Sequence, residues 1–355
     1  MTTVMTVTGP VEVSTLGRTL PHEHLLIDLS PYVDELARFT LLPHESEQVG
    51  LANLGAIRGN PYGNRDNCIL DSVELAVREL ELFKAAGGQT LVDATNNDIG
   101  SDPLALREIS ERTGVNIVAG CGHYVNFAQP DQVRQASRIQ ITESLLQQIQ
   151  SGLKGTDVRP GIIGEIGTTH PLHPNEEKVL RAAATAQKET GLPLSVHVHP
   201  PTRAGHDVLD LLEGEGVDLQ RVVLCHIDAA LAHNDIEFAD AVAYQQSLAE
   251  RGAFVEFDLC GNSGYFSDGP NSWWLPSDRE RAKAIGRLVD AGYAGSLLIS
   301  QDVGHKHYLS EYGGWGFGHV LTVFKDMVAD FGVDTATHEA ITVANPARML
   351  TGQEL

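Results

Sequence analysis

The chain has 355 residues, of which 42% are hydrophobic and 20% charged, enough apolar material for a large core and too little charge for a disordered chain. Its 47 acidic residues against 25 Lys and Arg give a formal charge of −22, which excludes nucleic acid as a partner, since phosphate backbones need a basic face. Met1–Pro10 lacks a basic start followed by an apolar run, and no stretch reaches the ~18 uninterrupted apolar residues of a membrane span, so neither secretion nor a membrane partner is expected.

The first predicted strand is Thr19–His24. Leu25–Cys68 follows, an irregular segment rich in Pro, Gly and Asn, including Gly59-Asn60-Pro61-Tyr62-Gly63-Asn64; connections this long typically cap a site. Asp71-Ser72 then precedes Val73, Val77 and Leu80 at helical spacing, and Gly87-Gly88 ends the run. From Gly88 onward short apolar runs alternate with amphipathic stretches, the pattern of βα units around a parallel sheet. The runs are Gln89–Ala94, Asn116–Cys121, Gly161–Glu165, Leu194–His199, Val222–His226, Ala253–Asp258 and Ser296–Gln301. Between them, Ser101 leads into Pro103 with Gly114 closing that helix, Asn175 is the expected cap of the helix broken by Gly191-Leu192-Pro193, and Ser277-Asp278 opens the stretch that Gly292 ends. Eight strands alternating with helices, and no GxGxxG after any of them, predict a (β/α)8 TIM barrel with a long loop insertion after strand 1, as one domain over residues 1–355. Cysteines 68, 121, 225 and 260 form no CxxC or close pair, which suits a reducing compartment, and a cytoplasmic location is expected.

Barrel enzymes carry their chemistry at the carboxyl ends of the strands, and five of the eight predicted strands end in metal-ligand types. The first ends His22-Glu23-His24, where residues two apart share a face and both imidazoles reach one cation. The fourth ends at Glu165, the fifth at His197, the sixth at His226 and the eighth at Asp302. Imidazole and carboxylate together suit Zn, Mn, Co, Ni or Fe. Six protein ligands exceed the three that one catalytic zinc needs, so two divalent ions per chain fit better, with one carboxylate bridging and a shared hydroxide available at neutral pH. Any one of these residues alone has a blander reading as a core histidine, helix cap or ion-pair partner; their joint placement carries the argument.

Several longer segments resemble the phosphotriesterase family of the amidohydrolase superfamily, essentially end to end. They are Val7-Thr8-Gly9-Pro10 with Gly17-Arg18-Thr19-Leu20-Pro21-His22-Glu23-His24, Val92-Asp93-Ala94-Thr95 with Asp98-Ile99-Gly100, Val115–Gly120, Ser300-Gln301-Asp302, Tyr312–His319 and Ile341–Arg348. The resemblance implies that His22, His24 and Asp302 bind the more buried metal, that His197 and His226 bind the more exposed one, and that Glu165 bridges. Gly161–Gly167, with Glu where many members carry a carboxylated lysine, resembles the glutamate-bridged branch that contains the phosphotriesterase-related proteins, as do Asn60-Pro61-Tyr62 and Glu256-Phe257-Asp258-Leu259. Tyr124, in Gly122-His123-Tyr124, matches a position that hydrogen-bonds the bridging solvent or the substrate carbonyl oxygen. The family's proton relay departs here, where the seventh strand reads Phe257-Asp258 and Ala229 stands three residues after His226, so efficient organophosphate turnover is not implied.

The expected activity is hydrolysis at the carbonyl of a small lactone or carboxylic ester, with Asp302 as proton shuttle and Tyr124 on the carbonyl oxygen. Alternatives are amide hydrolysis of N-acyl amino compounds and, third, phosphotriester hydrolysis as a side activity; a non-catalytic metal-binding barrel is the reading from another class. His199, two residues after His197, is a candidate substrate residue, and Arg203 and Lys306 are candidates for an anionic substrate group. Trp273-Trp274 is a candidate lining for an apolar or aromatic acyl group. Specificity is expected in Leu25–Cys68, Val125–Arg134, Pro200–His206 and Gly261–Pro276, and a homodimer is what the resemblance implies.

Overall fold

The computed structural model describes residues 2–267 and 272–353, so part of the Gly261–Pro276 loop lies outside the described residues. All eight expected strands form, at Thr19–Glu23, Thr90–Asp93, Asn116–Cys121, Ile162–Gly167, Leu194–His197, Val222–Cys225, Phe254–Phe257 and Leu297–Ile299, and they pair in chain order as one parallel sheet. The seventh strand, for example, sets Val255 and Phe257 beside Leu297 and Ile299 of the eighth. The sheet curls into the (β/α)8 barrel.

Alternation along the strands divides the core in two. Leu91, Ile117, Ile163, Val196, Leu224, Val255 and Ile299 pack outward among the helices. Val92, Val118, Ile162, Val223, Phe254 and Leu298 join Val4, Leu16 and Met349 in a smaller cluster that plugs the amino-terminal end. Val4 belongs to a hairpin, Thr3–Thr6 with Gly9–Glu12, that the strand pattern did not anticipate.

The ring closes between the first and last strands through a side chain. Glu23, between the two histidines and pointing away from them, accepts hydrogen bonds from Ser300 Oγ (2.7 Å) and from the backbone N–H groups of Gln301 (2.7 Å) and Val303 (2.9 Å). Burial pushes its pKa up to about 8, against the effect of these donors.

Helix termini follow local chemistry. Ser277 caps Asp278–Asp290 in a capping box with Glu280, as its spacing predicts. The helix expected to start at Asn175 instead spans Pro174–Thr190, capped by His173, whose Nδ1 accepts the N–H of Asn175 while Glu176 reaches back to His173. Pro174 then occupies the first turn, where its missing N–H costs nothing, and this is why the start moves. Asp102 caps Pro103–Thr113, with Pro103 in the first turn and Gly114 at the end as the sequence predicts. The Leu25–Cys68 insertion is more ordered than a loop: it holds helices Ser30–Ala37 and Leu54–Gly59 and a strand Ile27–Asp28 paired with Ile69–Leu70. Among the described residues no helix is long and apolar enough to cross a membrane.

Candidate metal centre

Four imidazoles and two carboxylates meet at the carboxyl end of the barrel, and the Glu165 carboxylate sits between two pairs of them. Its Oε1 lies 3.8 Å from His22 Nε2 and 3.5 Å from His24 Nε2. Its Oε2 lies 3.3 Å from His197 Nδ1 and 3.6 Å from His226 Nε2. Each oxygen thus serves one pair. Asp302 Oδ1 joins the first pair, 3.1 Å from His24 Nε2 and 3.8 Å from His22 Nε2. In the second pair the ring nitrogens of His197 and His226 are 2.9 Å apart, a spacing that suits two nitrogens sharing one ion.

Two of these residues adopt backbone conformations that non-glycine side chains avoid. His226 has φ 62° and Asp302 φ 47°, each costing on the order of 1–3 kcal/mol. The turn at His226 is held by its own N–H, which donates to Asp258 Oδ2 (2.9 Å), and that at Asp302 by an N–H to His22 O (3.3 Å). The strain swings side chains that follow the strand ends back over the mouth.

A ring of polar contacts aims the imidazoles. His24 Nδ1 lies 2.8 Å from Thr95 Oγ1. His226 Nδ1 lies 3.0 Å from Asp258 Oδ1, and His22 Nδ1 lies 3.4 Å from both Asp258 Oδ2 and Glu256 Oε2. Asp258 thereby steers His226, the outer contact that fixes the tautomer of a metal-binding imidazole, whereas His22 Nδ1 makes no hydrogen bond at 3.4 Å. An Asp258→Asn variant is expected to fold and to bind divalent metal about 10 to 100 times more weakly, read by competition with a chromophoric chelator; unchanged affinity rules the steering out.

The electrostatics match a cation-binding cluster. Burial opposes charge on Glu165, yet His22 and the contacts from His197 and His226 hold its carboxyl well below the usual range. Burial likewise opposes charge on Asp302, and His24 and His22 bring it down. His197 is held neutral by burial and by His226. Burial would lower the pKa of His226, but Asp258 carries it well above the ordinary value, so a cation taken up there would displace a proton and be held less tightly in acid. His22 Nε2 and Glu165 Oε2 are buried without a hydrogen-bond partner, an arrangement native proteins rarely tolerate; the donor set and these orphaned atoms fit divalent ions.

Tyr124 reaches the same place, its hydroxyl 3.2 Å from His197 Nδ1 and receiving a hydrogen bond from Tyr32 (3.4 Å). The three substrate candidates lie further out. Arg203 is clamped by both oxygens of Asp235 (2.9 and 3.0 Å), Lys306 bonds Asp66 (2.6 Å), and His199 borders an outer groove. The cavity over the ligands is lined instead by Tyr62, Phe266, Trp273, His305 and Tyr308.

His305 carries a pH signature. Burial pushes its pKa down to about 4, with Asp302 pulling the other way. Unfolded, it takes up a proton near pH ~6.5, so its stabilising contribution is complete above that pH and is lost as the pH falls toward 4. His305→Phe is therefore expected to flatten the acid limb of Tm against pH in that window, measured on the metal-free protein; an unchanged slope contradicts it.

Sequence reasoning missed Asp258 and Glu256 as partners of the ligands and Glu23 as the seam. The signal for the first two was present, since they stand two apart at the end of the seventh strand and so share a face.

A barrel whose strand ends gather imidazoles around a shared carboxylate defines a class, the barrel hydrolases that work with bound cations. The model of the phosphotriesterase family matches residues 2–350, and the chain belongs to that family and is a hydrolase. It is 33% identical to the N-acetyltaurine hydrolase of Xenopus tropicalis, over 98% of this chain and 97% of that protein. Its fold superposes on the crystal structure of a resiniferatoxin-binding protein from Rhodobacter sphaeroides with a TM-score of 0.91 at 38% identity, covering 99% of this chain and 96% of the other. A lactonase from Listeria monocytogenes matches with a TM-score of 0.77 at 25% identity, covering 99% and 100%.

Proposed function

We propose that the protein hydrolyses a small carboxylic ester or lactone at its carbonyl, using two divalent ions, with zinc as the expected metal. The observation that carries the reading is the Glu165 carboxylate placed between two imidazole pairs, one of which includes Asp302. His22, His24 and Asp302 would hold one ion, His197 and His226 the other, and Glu165 both. When bound, the ions supply an ionised water at neutral pH and polarise a carbonyl. Tyr124, kept protonated by burial, which drives its pKa well above the phenol range, donates a hydrogen bond to the carbonyl oxygen as negative charge grows there. Asp302, held ionised, accepts the proton that remains on the attacking oxygen once it has added to the carbonyl, and returns it to the leaving group as that bond breaks. Tyr32 orients the Tyr124 hydroxyl, and the aromatic lining keeps bulk water from the reacting atoms.

Amide hydrolysis of an N-acyl amino compound is the second reading, favoured by the N-acetyltaurine hydrolase at 33% identity. One experiment tests both. Purified protein is expected to hold about two divalent ions per chain by elemental mass spectrometry, to lose turnover on chelation and to regain it on readdition, across aryl esters, lactones, N-acyl amino compounds and a phosphotriester. The preferred leaving group ranks the readings. Failure to hold metal after readdition overturns the site.

A further inference from the structure

The site opens in two unequal steps. The cavity directly over the ligands measures about 50 Å³, roughly a third of the ~150 Å³ that admits a benzene ring. Beside it runs a groove of about 520 Å³ bordered by His170, His199, His233, Asp235 and Trp274. Trp273 lines both spaces, and the loop after the fifth strand gives Pro200 to the inner one and His199 to the outer.

The dividing wall is a hairpin, Tyr265–Ser267 paired with Ser272–Trp274, in which Phe266 faces Trp273 and Tyr265 faces Trp274. Phe266 and Trp273 stack at 4.8 Å between ring centroids and pack with Leu259, Leu275 and Tyr62 over the inner cavity. Tyr265 and Trp274 make the opposite pair at 4.7 Å, and Trp274 remains 54% exposed. A large indole left open beside a catalytic mouth is a platform for a flat ring. The charged groups that border the groove have partners of their own: Asp235 is held in a bidentate pair by Arg203, His170 lies 3.8 Å from Asp207, and burial lowers the His233 pKa while its Nε2 donates to Pro200 O (2.8 Å). With a formal charge of −22 on the whole chain, an anionic group gains little there.

From these observations, and resting on the carbonyl-hydrolase reading above, we infer a division of the substrate: a short, acetyl-sized acyl group enters the inner cavity, and a bulky, flat, uncharged leaving group lies in the outer groove against Trp274. The substrate class is a short-chain acyl ester or amide of an aromatic alcohol or amine. This moves Trp274 from the acyl side, where the sequence placed it, to the leaving side.

The zinc-loaded protein is tested with 2-naphthyl acetate, butyrate and hexanoate and with phenyl acetate, and separately by calorimetry with free 2-naphthol. The expected results are a kcat/KM for acetate at least tenfold above butyrate, restoration of butyrate turnover in Phe266→Ala, and a KM for naphthyl acetate raised about fivefold in Trp274→Ala with kcat unchanged. Naphthol is expected to bind wild type and to bind Trp274→Ala more weakly by the same factor. Equal turnover of all three chain lengths overturns the inference. So does ester turnover with naphthol binding absent or indifferent to Trp274. Trp274-dependent naphthol binding without turnover of any carbonyl substrate upholds the groove and removes the hydrolytic reading instead.

Discussion

An Asp302→Asn variant is expected to lose about 10³-fold in kcat while keeping most of its metal. The magnitude is that of a positioned proton-transfer group, and the retention follows from geometry: Asn keeps an oxygen at the position 3.1 Å from His24 Nε2, and Glu165 and the histidines are untouched. What Asn cannot do is accept a proton. The variant should therefore remain folded, hold close to two ions by elemental mass spectrometry and turn over substrate barely above background. Rates near wild type would show that Asp302 only binds metal and that the proton travels elsewhere.

The second large effect belongs to Glu165. Its two oxygens face separate imidazole pairs, so, on the two-ion reading, the carboxylate would lower the energy of both cations and offset their mutual repulsion. Glu165→Gln keeps the size and removes the charge, and it turns an N–H₂ group toward one of the pairs. We expect metal content to fall from two ions to one or fewer per chain after gel filtration, with kcat down by at least ~10². A Gln variant that retains two tightly bound ions would contradict the bridging role.

Much of this cluster is legible in the amino-acid sequence. A closed barrel buries both faces of its strands, so its sequence shows apolar runs whose ends stand out chemically, and His22, His24, Glu165, His197, His226 and Asp302 all fell at such ends. The side chains that aim them did not stand out. Asp258 is one more acid beside a strand, and its meaning comes from a neighbour thirty-two residues away, His226. His173 escaped notice as a cap because imidazole seldom plays that part, although Glu176 three residues on was a usable sign. The helices of the insertion are short, and Ser30–Ala37 and Leu54–Gly59 bury only two residues each, too few to impose a period on the sequence. Nor could spacing reveal that Arg203 and Lys306 are engaged by Asp235 and Asp66, since ion-pair partners are set by tertiary proximity.

The Glu23 seam has a consequence in time rather than in space. Its carboxyl group holds the amide protons of Gln301 and Val303, 278 and 280 residues further along the chain, across the junction of the first and last strands. The Glu23 side chain is fully buried, and the backbone bond from Asp302 N–H to His22 O spans the same junction, so freeing either amide is expected to need the first strand to part from the last. Both protons should exchange with deuterated solvent only at the slowest rate in the molecule, that of opening the whole ring. Because His22 and His24 flank Glu23 and Asp302 lies between those two amides, the same event that admits deuterium also pulls the cluster around Asp302 apart.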